Sequence, residues 1–249
     1  MSVSLLGAPL RFPETLAVDR RITLDAAHVA ALRFREVNVK EAFTIMDAEG
    51  NFFRASLKAT DAQSGEAIVY ERMQTSPESP AHISLFCAVL ARQRMLGVIQ
   101  KATELGVMAV VPVLSERSVP KSGLAHEKAH AWPGQALRAA KQCRRASIPD
   151  IQQAIPLRSA LDSTSFCEAA RRFYLDDRAA AVALPTAEHN GALRIAFVVG
   201  PEGGFTDDER QLLAARGAVP LRVGGRVLRA ETSALVGLAL LQHLYGDMG

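Results

Sequence analysis

Cysteine is scarce in this chain: only Cys87, Cys143 and Cys167 occur among 249 residues. An odd, scattered set with no metal-ligand spacing excludes a disulfide framework and a zinc or cluster site, and fits reduced thiols in a cytoplasmic protein. Long apolar runs are missing as well. No stretch approaches ~18 uninterrupted apolar residues, which excludes a membrane-spanning helix. The N-terminal stretch MSVSLLGAPLRFPETL has no basic region and too short an apolar run for a secretory signal. The phosphate-cradling loops G-x-G-x-x-G and G-x-x-x-x-G-K-[ST] are absent, so nucleotide phosphates are poor ligand candidates. There is no internal repeat and no low-complexity segment.

What is present describes a globular protein with one large or two ordinary cores: 49% hydrophobic and 22% charged residues. The net charge is only +3, but it is unevenly spread. Residues 92–145 carry ten Lys/Arg against three acids, whereas residues 1–76 carry nine against ten. Such clustering is the footprint either of a nucleic-acid surface or of a plain solvated face.

Residues 1–75 read as short strands, Ile22–Leu24, Phe43–Asp47, Phe52–Lys58 and Ala67–Arg72, with Asp25–Arg35 as a short helix. Close spacing of short strands predicts a small barrel. His28 reads as a surface or capping residue rather than a ligand. The polar, proline-bearing segment 74–80 marks a boundary, and residues 76–249 form a second domain. There the pattern alternates. Strands are expected at His82–Leu90, Met108–Leu114, Ile151–Ala154, Ala170–Leu175, Arg194–Val199 and Val219–Val223. Helices are expected at Arg92–Leu105, Pro133–Arg145, Leu157–Glu168, Asp207–Arg216 and Ala230–Tyr245. Alternation of this kind predicts an α/β fold with a parallel sheet covered on both faces. The last helix is apolar nearly all round, so it needs a second covering surface, for which a subunit interface is a candidate.

Residues 194–232 are the centre of the chain. Two apolar strands run into the glycine turns Gly200-Pro201-Glu202-Gly203-Gly204 and Gly224-Gly225-Arg226-Val227-Leu228-Arg229. Paired turns at the C-terminal ends of strands are where open α/β sheets bind ligands, although such turns also serve as plain connections. Thr206-Asp-Asp-Glu209 fits a capping box that fixes the following helix. Lys101 and Arg94 flank the apolar stripe of the 92–105 helix, with Glu104 placed to pair with Lys101. Arg138, Lys141 and Arg145 recur at helical spacing and form a basic ridge suited to phosphate contacts.

Four segments, Val98–Val107 around Lys101 and Glu104, Ser115-Glu-Arg117-Ser118, Gly200–Gly204 and Gly225–Thr232, occur in that order. In this they closely resemble the ribosomal small-subunit RNA uridine N3-methyltransferases of the SPOUT superfamily. The likeness covers nearly the whole chain and is strongest from residue 82. It implies an N-terminal PUA-like or OB-like RNA-binding β-barrel and a C-terminal parallel-sheet domain with a deep trefoil knot. It also implies S-adenosylmethionine as methyl donor, a homodimer, and a specific uridine in the decoding region of 16S rRNA within the small ribosomal subunit as substrate. Carried onto matching positions, the donor contacts are Leu175, Val199, Gly200, Pro201, Gly203, Val223, Gly224, Val227 and Leu228. Arg226, Arg229 and Lys101 become candidates for stabilising the uracil anion, with Glu202 or Glu231 as proton acceptor. Arg94, Arg117, Arg138, Lys141 and Arg145 are the expected RNA contacts. The chain departs from the family pattern at Ala131, Pro133, Lys141 and Arg144, the last standing where the family has glycine. Another SPOUT acceptor (a ribose 2′-OH or a tRNA base) and a non-catalytic RNA-binding protein are the competing readings.

Overall fold

The computed structural model describes residues 6–178 and 193–249. The chain divides into two compact units. One runs to Glu78 and takes in Leu137–Ile148; the other comprises Ser79–Ala136 and Pro149–Gly249.

The first unit contains β1 (Arg21–Leu24), α1 (Ala26–Phe34), β2 (Ala42–Met46), β3 (Phe52–Thr60) and β4 (Gly65–Arg72). The strands form an antiparallel sheet in the order β1-β4-β3-β2. Period-two patterning places Ala67 and Val69 of β4 in the core while Glu66 and Tyr70 face outward. Helix α1 starts where the Asp25 carboxylate accepts the His28 backbone N–H at 2.9 Å. The His28 ring is engaged structurally, with Nε2 donating to the Arg11 carbonyl at 2.8 Å.

Segment 137–148 joins this unit through several ties, the densest of them at one carboxylate. Glu78 accepts the backbone N–H groups of Ala146 and Ser147, each at 2.8 Å, and Arg145 Nη2 at 2.7 Å. Sequence spacing placed this segment wholly in the second domain, because a tie between residues 78 and 145 leaves no local signature. It also placed Arg145 on an exposed basic ridge. Arg145 is instead buried, its side chain 3% exposed, and is committed to Glu78.

The helix expected over 133–145 ends earlier: α3 spans Trp132–Gln142. Arg144 lies in the left-handed region at φ +62°. Its N–H donates to the Lys141 carbonyl and that of Arg145 to the Ala140 carbonyl, the reciprocal pair that closes a helix with a left-handed residue. The same device ends the second unit's first helix with Gly106 at φ +79°. An arginine there bears the Cβ strain that glycine avoids.

The second unit contains β5 (Ala81–Ala88), α2 (Arg92–Glu104), β6 (Ala109–Leu114), the start of α3, β7 (Asp150–Ile151) and β8 (Ile155–Pro156). There follow α4 (Leu157–Leu161), α5 (Thr164–Cys167), β9 (Arg171–Leu175), β10 (Leu193–Val199), α6 (Asp207–Ala215), β11 (Val219–Leu221) and α7 (Ala230–Tyr245). The sheet is parallel with order β11-β9-β10-β5-β6-β7, and β8 also pairs with β6. Hydrophobic clusters lie on both faces, so β10 is buried from Ile195 to Val199 and reads as a continuous apolar run. The single helix expected over 157–168 is broken into α4 and α5. Ser163 between them adopts extended angles, φ −70° and ψ 151°, and its hydroxyl donates to the Ala160 carbonyl at 2.6 Å. Cys87 is fully buried, and burial pushes its thiol up to about 12, which removes it as a nucleophile at neutral pH. Among the described residues no helix is long and apolar enough to cross a membrane.

Helix α7 packs close to the sheet because of Gly237, where an added Cβ would collide with the Phe197 ring of β10. Both residues are buried, and a core ring has little room to yield. Gly97 of α2 has nothing within 4 Å of its would-be Cβ. Urea unfolding should therefore separate the two. Gly237→Ala is expected to lose about 1–3 kcal/mol by overpacking, while Gly97→Ala gains about 0.5–1 kcal/mol in helix propensity.

In the first unit, Glu78→Gln is expected to cost about 3–5 kcal/mol, because it strands a buried guanidinium. Arg144→Gly is expected to gain about 1 kcal/mol by relieving the left-handed strain. Its ion pair with Glu71 is half exposed at 3.7 Å and contributes little. The same unfolding measurement reads both, and opposite signs are the result to look for.

Candidate functional site

The C-terminal ends of β9, β10 and β11 meet around an open cavity of about 190 Å³. Leu175, Val199 and Leu221, the last residues of these strands, all line it. Each end leaves the sheet in the same direction because β9 pairs in parallel with both neighbours. Strand ends of this kind leave backbone groups facing the space beyond the sheet, the usual ligand position in open α/β folds.

Both glycine turns enter the wall. The first, residues 200–204, closes on itself when the Gly204 N–H donates to the Pro201 carbonyl at 2.8 Å. It is then held from two sides. The predicted capping box is formed: Thr206 Oγ1 accepts the Glu209 N–H at 3.3 Å, and Glu209 Oε2 accepts the Thr206 N–H at 3.0 Å. The remaining oxygen of Glu209 accepts the Glu116 N–H at 2.9 Å, and Arg117 Nη1 donates to the Gly203 carbonyl at 2.8 Å. The Ser115–Ser118 turn thus docks on the glycine turn. Phe205 is buried beneath it, with its ring 3.1 Å from where a Cβ on Gly200 would stand. The second turn follows β11. Gly224 adopts φ +70°, a region that disfavours any side chain. Val227 is 85% exposed at the cavity rim.

Of the residues expected to contact the methyl donor, Leu175, Val199, Gly200, Pro201, Gly203, Val223, Val227 and Leu228 all line this cavity. Gly224 shapes the same loop without lining it. Arg226 and Glu202 also line it. Glu231, at the start of α7, does not. It is linked to Glu202 through Arg94 of α2, which pairs with Glu202 and approaches Glu231 at 3.7 Å. The second oxygen of Glu231 is buried without a partner among the described residues. Arg229 occupies the N-cap position of α7, exposed and outside the lining. Lys101 is not brought to the cavity: it is exposed on α2 and paired with Glu104 at 2.9 Å.

The expected RNA contacts scatter. Arg94 is held between two carboxylates and Arg117 lies across the first turn, so both serve the cavity wall. Arg138 is exposed on α3, and Lys141 reaches the Glu41 carboxylate at 3.1 Å. Only Arg138 and Lys141 remain as an exposed ridge.

Sequence reading missed Asp176, Asp177, Arg178, Phe205 and Arg210 of the lining. Asp176 is held by Arg210 Nε at 3.1 Å, which carries α6 against the end of β9. For Asp176, Asp177 and Arg178 the available signal was their position just after a parallel strand.

This geometry agrees with what the chain is similar to. Residues 77–242 match the model of the RNA methyltransferase domain family. The ribosomal RNA small subunit methyltransferase E of Synechocystis is 27% identical over 93% of this chain and 76% of its own length. That of Aquifex aeolicus is 27% identical over 89% and 94%. Among solved structures, the ribosomal RNA small subunit methyltransferase E of Neisseria gonorrhoeae, bound to S-adenosyl methionine, superposes with a TM-score of 0.67. Its identity is 31%, covering 97% of this chain and 100% of that one. A methyltransferase of Legionella pneumophila in complex with the same cofactor gives a TM-score of 0.65 at 27% identity, covering 96% and 98%. The chain belongs to the ribosomal RNA small subunit methyltransferase E family of RNA methyltransferases.

Proposed function

We propose that the chain transfers a methyl group from S-adenosylmethionine to N3 of a uridine in 16S rRNA, at a specific site in the decoding region. The observation that carries this reading is the cavity itself, in which both glycine turns and the ends of three parallel strands converge.

The lining suits the donor. Backbone of the two turns and the side chains of Leu175, Val199, Val223 and Leu228 offer an apolar, hydrogen-bonding surface for a nucleoside. The carboxylates of Asp177 and Glu202 suit a cationic centre. When bound, S-adenosylmethionine supplies an electrophilic methyl carbon. The chain's own residues position the acceptor and manage its proton. Arg226 offers fixed positive charge where the uracil anion develops, and Arg229 follows three residues later. Glu202, on the cavity wall, takes the N3 proton; Arg94 orients it and ties it to Glu231. Holding the reacting groups in register supplies much of the acceleration, and no metal chemistry is invoked.

The first unit acts as a PUA-like RNA-binding domain, and the second as a SPOUT domain whose C-terminal segment forms the trefoil knot. The chain path supports the knot: β11 pairs at the sheet edge beyond β9, yet α7 returns to pack on α2, β5 and β10. The enzyme works in the cytoplasm as a homodimer, supported by the apolar residues left uncovered on α7, among them Val236 at 40% exposure.

The deciding experiment incubates the full chain with S-adenosylmethionine and small subunits or 16S rRNA lacking the modification, then analyses nucleosides by mass spectrometry. One equivalent of 3-methyluridine is expected; its absence from both substrates overturns the reading. Arg226→Ala is expected to lower kcat by about 10²–10³-fold with donor affinity little changed. Gly224→Val, which forces a branched side chain to positive φ, is expected to weaken donor binding measured by calorimetry while leaving RNA affinity intact.

A further inference from the structure

The first unit contains a recess that the methyl-transfer site does not use. It is lined by Arg35, Thr44, Arg54, Lys141, Arg145 and apolar residues that include Phe43 and Ile148. Its volume is about 30 Å³, room for two or so water-sized atoms at about 10–15 Å³ each. Four cations converge there, and the charges that answer them can be counted. Arg145 pairs with Glu78 and Lys141 with Glu41. Arg35 spends its terminal nitrogens on the carbonyls of Ala146 and Ala8. Arg54 faces Thr44 across the β2–β3 pair and makes one hydrogen bond, Nη1 to Thr44 Oγ1 at 2.8 Å.

Arg54 is therefore a residue only 8% exposed whose guanidinium forms no ion pair among the described residues. Its Nε is buried without a hydrogen-bond partner among the described residues, as is that of Arg35. Burying an unpaired charge is among the more costly features a fold can carry, since lost hydration is not replaced. Burial also pushes the Arg35 guanidinium down to about 10, despite the nearby Glu78 carboxylate. Glu71, opposite Arg54 in the β3–β4 pair, is engaged by Arg144 at 3.7 Å, so two guanidiniums without an ion pair among the described residues and two unused N–H donors surround a small opening suited to one anion. Its size admits one or two oxygens of a phosphoryl group and excludes a base or a sugar. The guanidinium fork matches phosphoryl oxygens in particular.

We propose that this recess binds a single phosphoryl group, held by Arg54 and Arg35 with Lys141 at the rim, and that in the working enzyme the group is a backbone phosphate of the RNA. The second half rests on the RNA reading given above; the first does not. A phosphate seated there anchors the RNA without reading its sequence.

The test uses the full chain, inorganic phosphate as probe, and chloride to hold ionic strength constant. The wild-type Tm is expected to rise with phosphate concentration. In Arg54→Met, which keeps the aliphatic stem and removes the charge, the Tm should not respond. Arg54→Lys guards against a variant that fails to fold; it retains the charge, and its phosphate affinity by ³¹P NMR should fall about tenfold with loss of the fork. Equal phosphate responses in wild type and Arg54→Met overturn the site. For the source of the group, rRNA-fragment affinity is measured against salt. A slope of log K on log[salt] lower by about one in Arg54→Met assigns the site to the RNA backbone. An unchanged slope with phosphate binding lost assigns it to free phosphate and overturns the RNA half alone. Donor binding by wild type is measured in parallel: its failure would sink the methyltransferase reading while leaving the phosphate result standing.

Discussion

Parallel pairing of β9 with β10 on one side and β11 on the other is the constraint on which the site depends. Tyr174 pairs with both Val198 and Pro220, and Leu175 with Leu221, so three strands reach the same rim in register. Parallel strands all point their C-terminal ends one way, and two glycine turns separated by α6 and β11 are thereby delivered to one cavity. The arrangement also dictates burial. A parallel sheet needs cover on both faces, which is why β10 is apolar along nearly its whole length and why α7 must approach closely enough to require Gly237.

Around that rim, a few side chains do double duty. Glu209 closes the capping box with one oxygen and holds the Ser115–Ser118 turn with the other. Arg94 stands between Glu202 and Glu231, joining α2, the first turn and α7. Ties of this sort fix the backbone of the turn before a ligand arrives, so that less ordering is needed on binding. They also explain why several arginines near the cavity are not free to meet RNA phosphates. Their charge is already answered by carboxylates a few ångströms away.

The first unit shows the contrast within one small volume. Glu78 surrounds itself with backbone donors and Arg145, and thereby recruits segment 137–148 from the far side of the intervening sequence. Arg54, on β3 opposite Glu71, forms no ion pair among the described residues. Both arginines look alike in a count of basic residues. Their electrostatic circumstances differ because pairing depends on which carboxylate folding brings near, and desolvation magnifies the difference.

Local sequence determined most of the alternating strands and helices, the capping box at Thr206 and the bounds of α7, because hydrophobic spacing and local hydrogen bonds are properties of neighbouring residues. The family resemblance pointed to about half of the cavity wall, since those residues end strands or shape turns in place. Tertiary structure alone decided that Arg145 is interior, that Lys101 stands away from the cavity, and that Arg94 and Arg117 serve the turn. It also decided that Asp176 and Arg210 join the lining. Each of these depends on a partner tens of residues away or on which side of an element meets the interior, and charge pairing across such distances leaves no periodic trace in the chain.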